Sequence, residues 1–227
     1  MRDEAEQKGG SGAAAGGGII VVKVGGAVVG SELGELESAV VVHGGGKQIT
    51  AALAAAGVDT AFVGGRRVTD DVGIGVVREA LVQVNHALCA AIGPSAVGLI
   101  GDEIGLKATH VPEFGHVGSP LPSKPQAILD VLAAGKIPVV APLAEGPLNV
   151  NADDMAAALA VGLGAERVIF HSDVPGVLRD EQVLASVAAH EVETGEFEGG
   201  ILPKLQAAVV AARQGVRAEI GETVVVA

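Results

Sequence analysis

Two lysines, one aspartate and two glycine turns in this chain combine into a recognisable kind of chemistry. Lys23 ends the apolar run Ile19-Ile20-Val21-Val22 and is followed by Val24-Gly25-Gly26. A second turn, Gly44-Gly45-Gly46, follows Val40-Val41-Val42-His43. Glycines at the carboxyl end of a buried strand expose backbone N–H groups, which form a cradle for phosphate. Asp153 lies in Asn149-Val150-Asn151-Ala152-Asp153, and Lys204 follows Gly199-Gly200-Ile201-Leu202-Pro203. A transferring phosphoryl group carries its charge on equatorial oxygens, so placed cations and N–H donors supply most of the catalysis. Two lysines can flank such a group, and Asp153 can hold both ammonium groups. Arg66 and Arg67, in Gly64-Gly65-Arg66-Arg67-Val68-Thr69-Asp70, offer a guanidinium fork suited to a carboxylate. Ser172-Asp173-Val174-Pro175-Gly176 suits a nucleotide-side turn at the sheet edge.

These residues need a scaffold, and the chain alternates strand-like and helix-like segments. Strands are expected at Ile19–Val24, Ala39–Val42, Ala96–Ile100, Ile137–Ala141 and Arg167–His171. Helices are expected at Lys47–Ala56, Asp70–Ile92 (with Thr69 or Asp70 as N-cap), Lys124–Ala134, Ala152–Leu163 and Pro203–Gln214. Leu106–Val117 fits an inserted hairpin. The alternation implies an α/β fold, a three-layer αβα sandwich around a mainly parallel sheet. Residues 1–18 read as a flexible glycine-rich leader. Punctuation at Pro142, Gly146 and Pro147 suggests two lobes, residues 19–145 and 146–227, on one continuous sheet.

Composition narrows the partners. With 227 residues and 49% hydrophobic content the chain is globular. A net charge of −12 disfavours nucleic acid and anionic membranes. The absence of Trp and Tyr removes most stacking platforms for bases. The single Cys89 excludes an intrachain disulfide, suits a reducing cytoplasm and reads as a core residue. No apolar run reaches membrane-span length. No dinucleotide fingerprint, Walker loop, nucleophile elbow or complete zinc motif is present. His43 and His116 read as packed or loop histidines, and Arg66 as a surface arginine.

In this order V-K-V-G-G, V-H-G-G-G, F-V-G-G-R-R-V-T-D, G-H-V-G, N-V-N-A-D, S-D-V-P-G and G-G-I-L-P-K resemble the motifs of the amino acid kinase family, from about Ile19 to the C-terminus. The resemblance implies transfer of the ATP γ-phosphoryl group to the γ-carboxylate of N-acetyl-L-glutamate, the second step of arginine biosynthesis. It implies that Lys23 and Lys204 stabilise the moving group while Asp153 organises them. Gly25 and Gly26, with Ser172 and Asp173, would serve phosphate and ATP. Gly44, Gly45, Arg67, Asn149 and Asn151 would hold the substrate, with Arg67 rather than Arg66 on the α-carboxylate and Asn149 in direct contact. Mg2+ would arrive on the nucleotide, without a metal site on the protein. A carboxylate acceptor is already ionised near neutrality, which agrees with the lack of a catalytic histidine.

The resemblance further implies a substrate-binding and dimerising first lobe and an ATP-binding second lobe. A homodimer through the long helix after Thr69 is expected, without arginine feedback. The stretches Gly26–Val40 and Val177–Glu198, and the tail after Ile220, are short for the family. Two other readings remain: a kinase of carrier-linked α-aminoadipate or glutamate in lysine biosynthesis, and a non-catalytic amino-acid-binding relative.

Overall fold

The computed structural model describes residues 18–25, 33, 38–171 and 174–227. The leader through residue 17, most of the short stretch after Gly25, and the expected site residues Gly26, Ser172 and Asp173 lie outside them. In chain order the first elements are β1 (Ile20–Val24), β2 (Ala39–His43), α1 (Gly46–Ala55), β3 (Phe62–Val63), β4 (Arg66–Arg67) and α2 (Gly73–Ile92). Next come β5 (Ala96–Ile100), β6 (Ala108–His110), β7 (Val117–Pro120), α3 (Gln126–Ala133), β8 (Ile137–Ala141), β9 (Leu143–Ala144) and β10 (Leu148–Val150). The chain then forms α4 (Ala152–Leu163), β11 (Arg167–Phe170), β12 (Leu178–Arg179), β13 (Gln182–Val183), β14 (Ser186–Ala188) and α5 (Ala189–Glu193). It closes with α6 (Leu202–Arg213), β15 (Arg217–Ile220) and β16 (Thr223–Val226).

The central sheet has eight strands in the order β14-β16-β15-β11-β1-β2-β8-β5. All pairings from β5 across to β15 are parallel, and β16 turns antiparallel to β15. The strands are valine-rich because helices cover both faces. Val21, Val40, Val42 and Val140 pack with Met155 and Leu159 of α4 and Leu205 of α6. The alternate residues Val22, Val24, Val41 and Val139 pack with Leu88 and Ile92 of α2. Strand periodicity thus sorts neighbouring valines onto opposite faces, and a fully buried valine contributes on the order of 1.5–3 kcal/mol.

Several boundaries differ from the sequence expectation. The long helix starts at Gly73, not at Thr69 or Asp70. The Asp70 carboxylate still accepts the Gly73 N–H at 2.6 Å, but across an intervening turn. Thr69 is instead buried, its hydroxyl bonded to Arg67 O and to the Asn149 side chain. The inserted hairpin pairs β6 with β7 and extends to Pro120, where β10 and β9 join it in a four-stranded sheet. The short stretch Val177–Glu198 still holds three small strands, β12, β13 and β14, and the helix α5, and the tail adds β16.

Candidate active site

The carboxyl ends of β1 and β2 meet beside α4 and α6. β1 has β2 on one side and β11 on the other, with Lys23 opposite Val42 and Phe170. That is a switch point of a parallel sheet, where crevices open for ligands. Asn151 fixes the entry to α4: its Oδ1 accepts the N–H groups of Asp153 and Asp154 at 2.8 and 3.2 Å. Such a cap is worth about 1 kcal/mol, and it holds Asp153 in the first helical turn. Pro203 occupies the first turn of α6 and sets Lys204 just inside it.

Lys23 Nζ and Lys204 Nζ each lie 3.0 Å from the same Asp153 oxygen, Oδ1. The three side chains retain only 12%, 11% and 13% of their exposure, in the order Lys23, Lys204, Asp153. Two near-buried ammonium groups therefore share one carboxylate, which leaves a local surplus of positive charge. Burial pushes the Lys204 amine below the usual lysine range; Asp153 pulls it back up and Lys23 pushes it further down. An anion placed against the pair relieves that repulsion, so the arrangement fits a phosphoryl group.

A cavity of about 180 Å³ opens beside this group, lined by Lys23, Asp153, Gly44, Gly45, Arg67 and Asn149 among others. Asn151 also lines it, with its oxygen committed to the helix cap and its Nδ2 3.4 Å from Gly65 O. Gly44 differs from its assigned donor role, because its N–H donates to Val24 O at 3.0 Å. The N–H groups of Gly45 and Gly46 have no acceptor among the described residues. Gly25 does not line this cavity but a neighbouring hollow, with Val24, His43 and Gly44.

Arg67 is buried and locked. Its guanidinium donates to Thr60 Oγ1 at 2.8 Å, Thr50 Oγ1 at 2.8 Å and Gly46 O at 3.1 Å, and it lies 4.4 Å from the Phe62 ring centre. A guanidinium has five N–H donors, so two remain for a ligand. Arg66 is not a plain surface residue: its guanidinium bonds Asp154 Oδ2 at 3.0 Å and also lines the cavity. Asn149 Nδ2 donates to Thr69 Oγ1 at 3.1 Å, and Thr69 donates to Arg67 O at 3.1 Å. The G-H-V-G loop supports them. His116 N–H donates to Thr69 O at 2.7 Å, and a side chain at Gly115 (φ +75°) would strike that same carbonyl oxygen.

Sequence reasoning passed over Thr50, Thr60, Phe62, Thr69 and Asp154. Thr69 carried a signal, since it sits inside the arginine motif. Phe62 carried the same signal, since it opens that motif, whereas Thr50, Thr60 and Asp154 lie outside every motif quoted and left none. Among the described residues no group of three His, Cys, Asp or Glu side chains is arranged to hold a metal ion. No described helix is long and apolar enough to cross a membrane.

Paired ammonium groups, free backbone amides and a locked arginine at the carboxyl ends of a parallel sheet fit the needs of phosphoryl transfer on an α/β fold. The sequence profile of the amino acid kinase family matches residues 18–222, and the chain belongs to that family. It is 42% identical over 218 residues to an acetylglutamate kinase from Rubrobacter xylanophilus, covering 87% of this chain and 86% of that protein. The crystal structure of smu.665 from Streptococcus mutans superposes with a TM-score of 0.80 at 28% identity, covering 92% of this chain and 98% of the other. The carbamate kinase from Giardia lamblia, bound to AMP-PNP, shares the fold with a TM-score of 0.67 at 15% identity, over 92% of this chain and 98% of that one.

Proposed function

We propose that the protein transfers the γ-phosphoryl group of ATP to the γ-carboxylate of N-acetyl-L-glutamate, giving N-acetylglutamyl 5-phosphate in arginine biosynthesis. The observation that carries this reading is the shared contact of Lys23 and Lys204 with Asp153 Oδ1 beside a cavity that also receives Arg67. The similarity to acetylglutamate kinases over most of the chain names the acceptor.

In this reading Arg67 binds the α-carboxylate with its two uncommitted N–H groups, and Asn149 contacts the substrate. Thr69 orients Asn149 by accepting from its amide nitrogen. A γ-carboxylate oxygen forms the new bond to phosphorus while the bond to the β,γ-bridging oxygen breaks. No base is needed, because the acceptor has no proton to lose. Lys23 and Lys204 neutralise charge on the group in transit, and the Gly45 amide donates to it. Asp153 keeps the two amines from repelling one another out of position. ATP supplies the phosphoryl group, with Mg2+ on its phosphates. Of the residues that the resemblance gives to ATP, Gly25 lines the hollow beside Gly44, and Gly26, Ser172 and Asp173 lie outside the described residues. Residues 19–145 carry the acid substrate and residues 146–227 the nucleotide. The protein works in the cytoplasm as a homodimer joined through α2.

Purified protein given ATP, Mg2+, hydroxylamine and free acetylglutamate is expected to yield the hydroxamate of the acyl phosphate. No hydroxamate from free acetylglutamate would reject the reading. Product only from carrier-linked α-aminoadipate or glutamate would move the protein to lysine biosynthesis. Calorimetric binding of acetylglutamate without turnover would make it a non-catalytic relative.

A further inference from the structure

His43 and Asn85 form a buried polar pair that the phosphoryl-transfer reading does not use; their exposures are 1% and 0%. Asn85 Nδ2 lies 2.8 Å from Val139 O and 3.2 Å from His43 Nε2. A carbonyl only accepts, so the amide nitrogen must face Val139, which fixes the orientation of the Asn85 side chain. Its second N–H then points at His43 Nε2, which has to be the unprotonated acceptor. The proton of the neutral ring sits on Nδ1 and is donated to Gly44 O, 2.8 Å away. An imidazolium, or the opposite tautomer, would set two donors against each other at Nε2. Burial also lowers the His43 pKa, in keeping with a neutral ring.

Both polar groups of Gly44 are therefore tied. Its N–H donates to Val24 O, and its carbonyl accepts from His43. No described peptide is cis, and in a trans peptide the C=O and the following N–H point in opposite directions. The Gly45 N–H consequently turns away from the His43 ring. Gly44, Gly45 and Gly46 line the cavity beside Lys23, whereas His43 does not. Two adjacent glycines have little intrinsic preference for one peptide orientation, so something else has to choose it.

We propose that His43, in the Nδ1–H tautomer selected by Asn85, is a positioning residue that locks the Gly44–Gly45 peptide so that the Gly45 N–H donates into the cavity toward the reacting anion. The inference rests on the phosphoryl-transfer reading for the identity of that anion. The hydrogen-bond chain from Val139 to Gly44 stands without it.

Two substitutions separate this role from simple packing. His43→Asn keeps an N–H near the Nδ1 position, and His43→Gln keeps one near Nε2. The expected result is that His43→Asn retains kcat within about fivefold, whereas His43→Gln loses about 10²-fold, the scale of removing one oriented donor. The two variants should melt at similar temperatures. Equal kcat for the two variants would overturn the proposal. Histidine-labelled protein supplies a readout that needs no turnover. Its 15N spectrum should show Nδ1 protonated and Nε2 bare from roughly pH 6 to 8, and a protonated Nε2 would overturn the proposal. Titration with inorganic phosphate should shift the Gly45 amide resonance in the parent and in His43→Asn but not in His43→Gln. An equal shift in all three would also overturn it. If the parent makes no acyl phosphate, the functional reading fails while the tautomer and the amide shift still judge this inference.

Discussion

Burial lowers the Lys204 pKa, and the nearby Lys23 lowers it further against the pull of Asp153. The amine must be protonated to neutralise a phosphoryl group. Activity is therefore full below the lowered pKa and is lost as pH rises through it. The profile of kcat/KM, which reports free-enzyme ionisations, should show an alkaline limb below the ordinary lysine value. Lys204→Arg should move that limb upward, and a limb that stays in place would assign it to another group. Asp153→Asn leaves two near-buried cations unpaired, at a cost on the order of 3 kcal/mol by chemical denaturation. Inorganic phosphate should restore part of that loss, and equal stability of the two proteins would contradict the shared-carboxylate account. At this scale Lys23, Asp153 and Lys204 were legible because each sits on a local strand-end or helix-start pattern. The pairing of Arg66 with Asp154 was not, because 88 positions separate them and no local pattern couples them.

The β3–β4 hairpin touches both helix starts, the one that carries Asp153 and the one that carries Lys204. Arg66 bonds Asp154 in α4, and a side chain on Gly65 (φ +78°) would meet Pro203 Cγ of α6 at 2.5 Å. Gly65→Ala should displace the hairpin and raise KM for acetylglutamate about tenfold with a smaller change in kcat; an unchanged KM would show the hairpin to be dispensable. Burial raises the Asp154 carboxyl pKa, and Arg66 only partly offsets it. A carboxyl with a raised folded pKa contributes stability that is full below its unfolded value and is lost as pH rises through the folded one. Asp154→Asn should flatten that part of the pH–stability curve, as read from urea midpoints at several pH values, and an unaltered slope would locate the titration elsewhere. Element placement followed the sequence well where strands are long and valine-rich. It missed β12 to β16, which run two to four residues each and are too short to set a periodicity against their many turns.

Across the whole molecule, one eight-stranded sheet runs through both proposed lobes and carries Lys23 at the end of β1, where Lys204 of α6 meets it at Asp153. The three-layer form was legible because alternating valine strands and alanine-rich helices allow few other packings. A partner for α2 was read from the family resemblance alone, since an exposed helix face looks alike in monomers and dimers. Sedimentation at micromolar concentration is expected to give a dimer, and a monomer with full activity would refute the role assigned to α2. Replacing Arg67 with Ala should weaken acetylglutamate binding in calorimetry by at least about tenfold, and unaltered affinity would pass the role to Arg66.

The most direct test is the turnover of Lys204→Ala at saturating ATP and acetylglutamate, followed as acyl hydroxamate. Removing one of two cations that act on the moving phosphoryl group should cut kcat by about 10²–10³-fold. KM for acetylglutamate should stay within a few-fold of the parent. Turnover equal to that of the parent would contradict the claim that the paired amines carry the reaction.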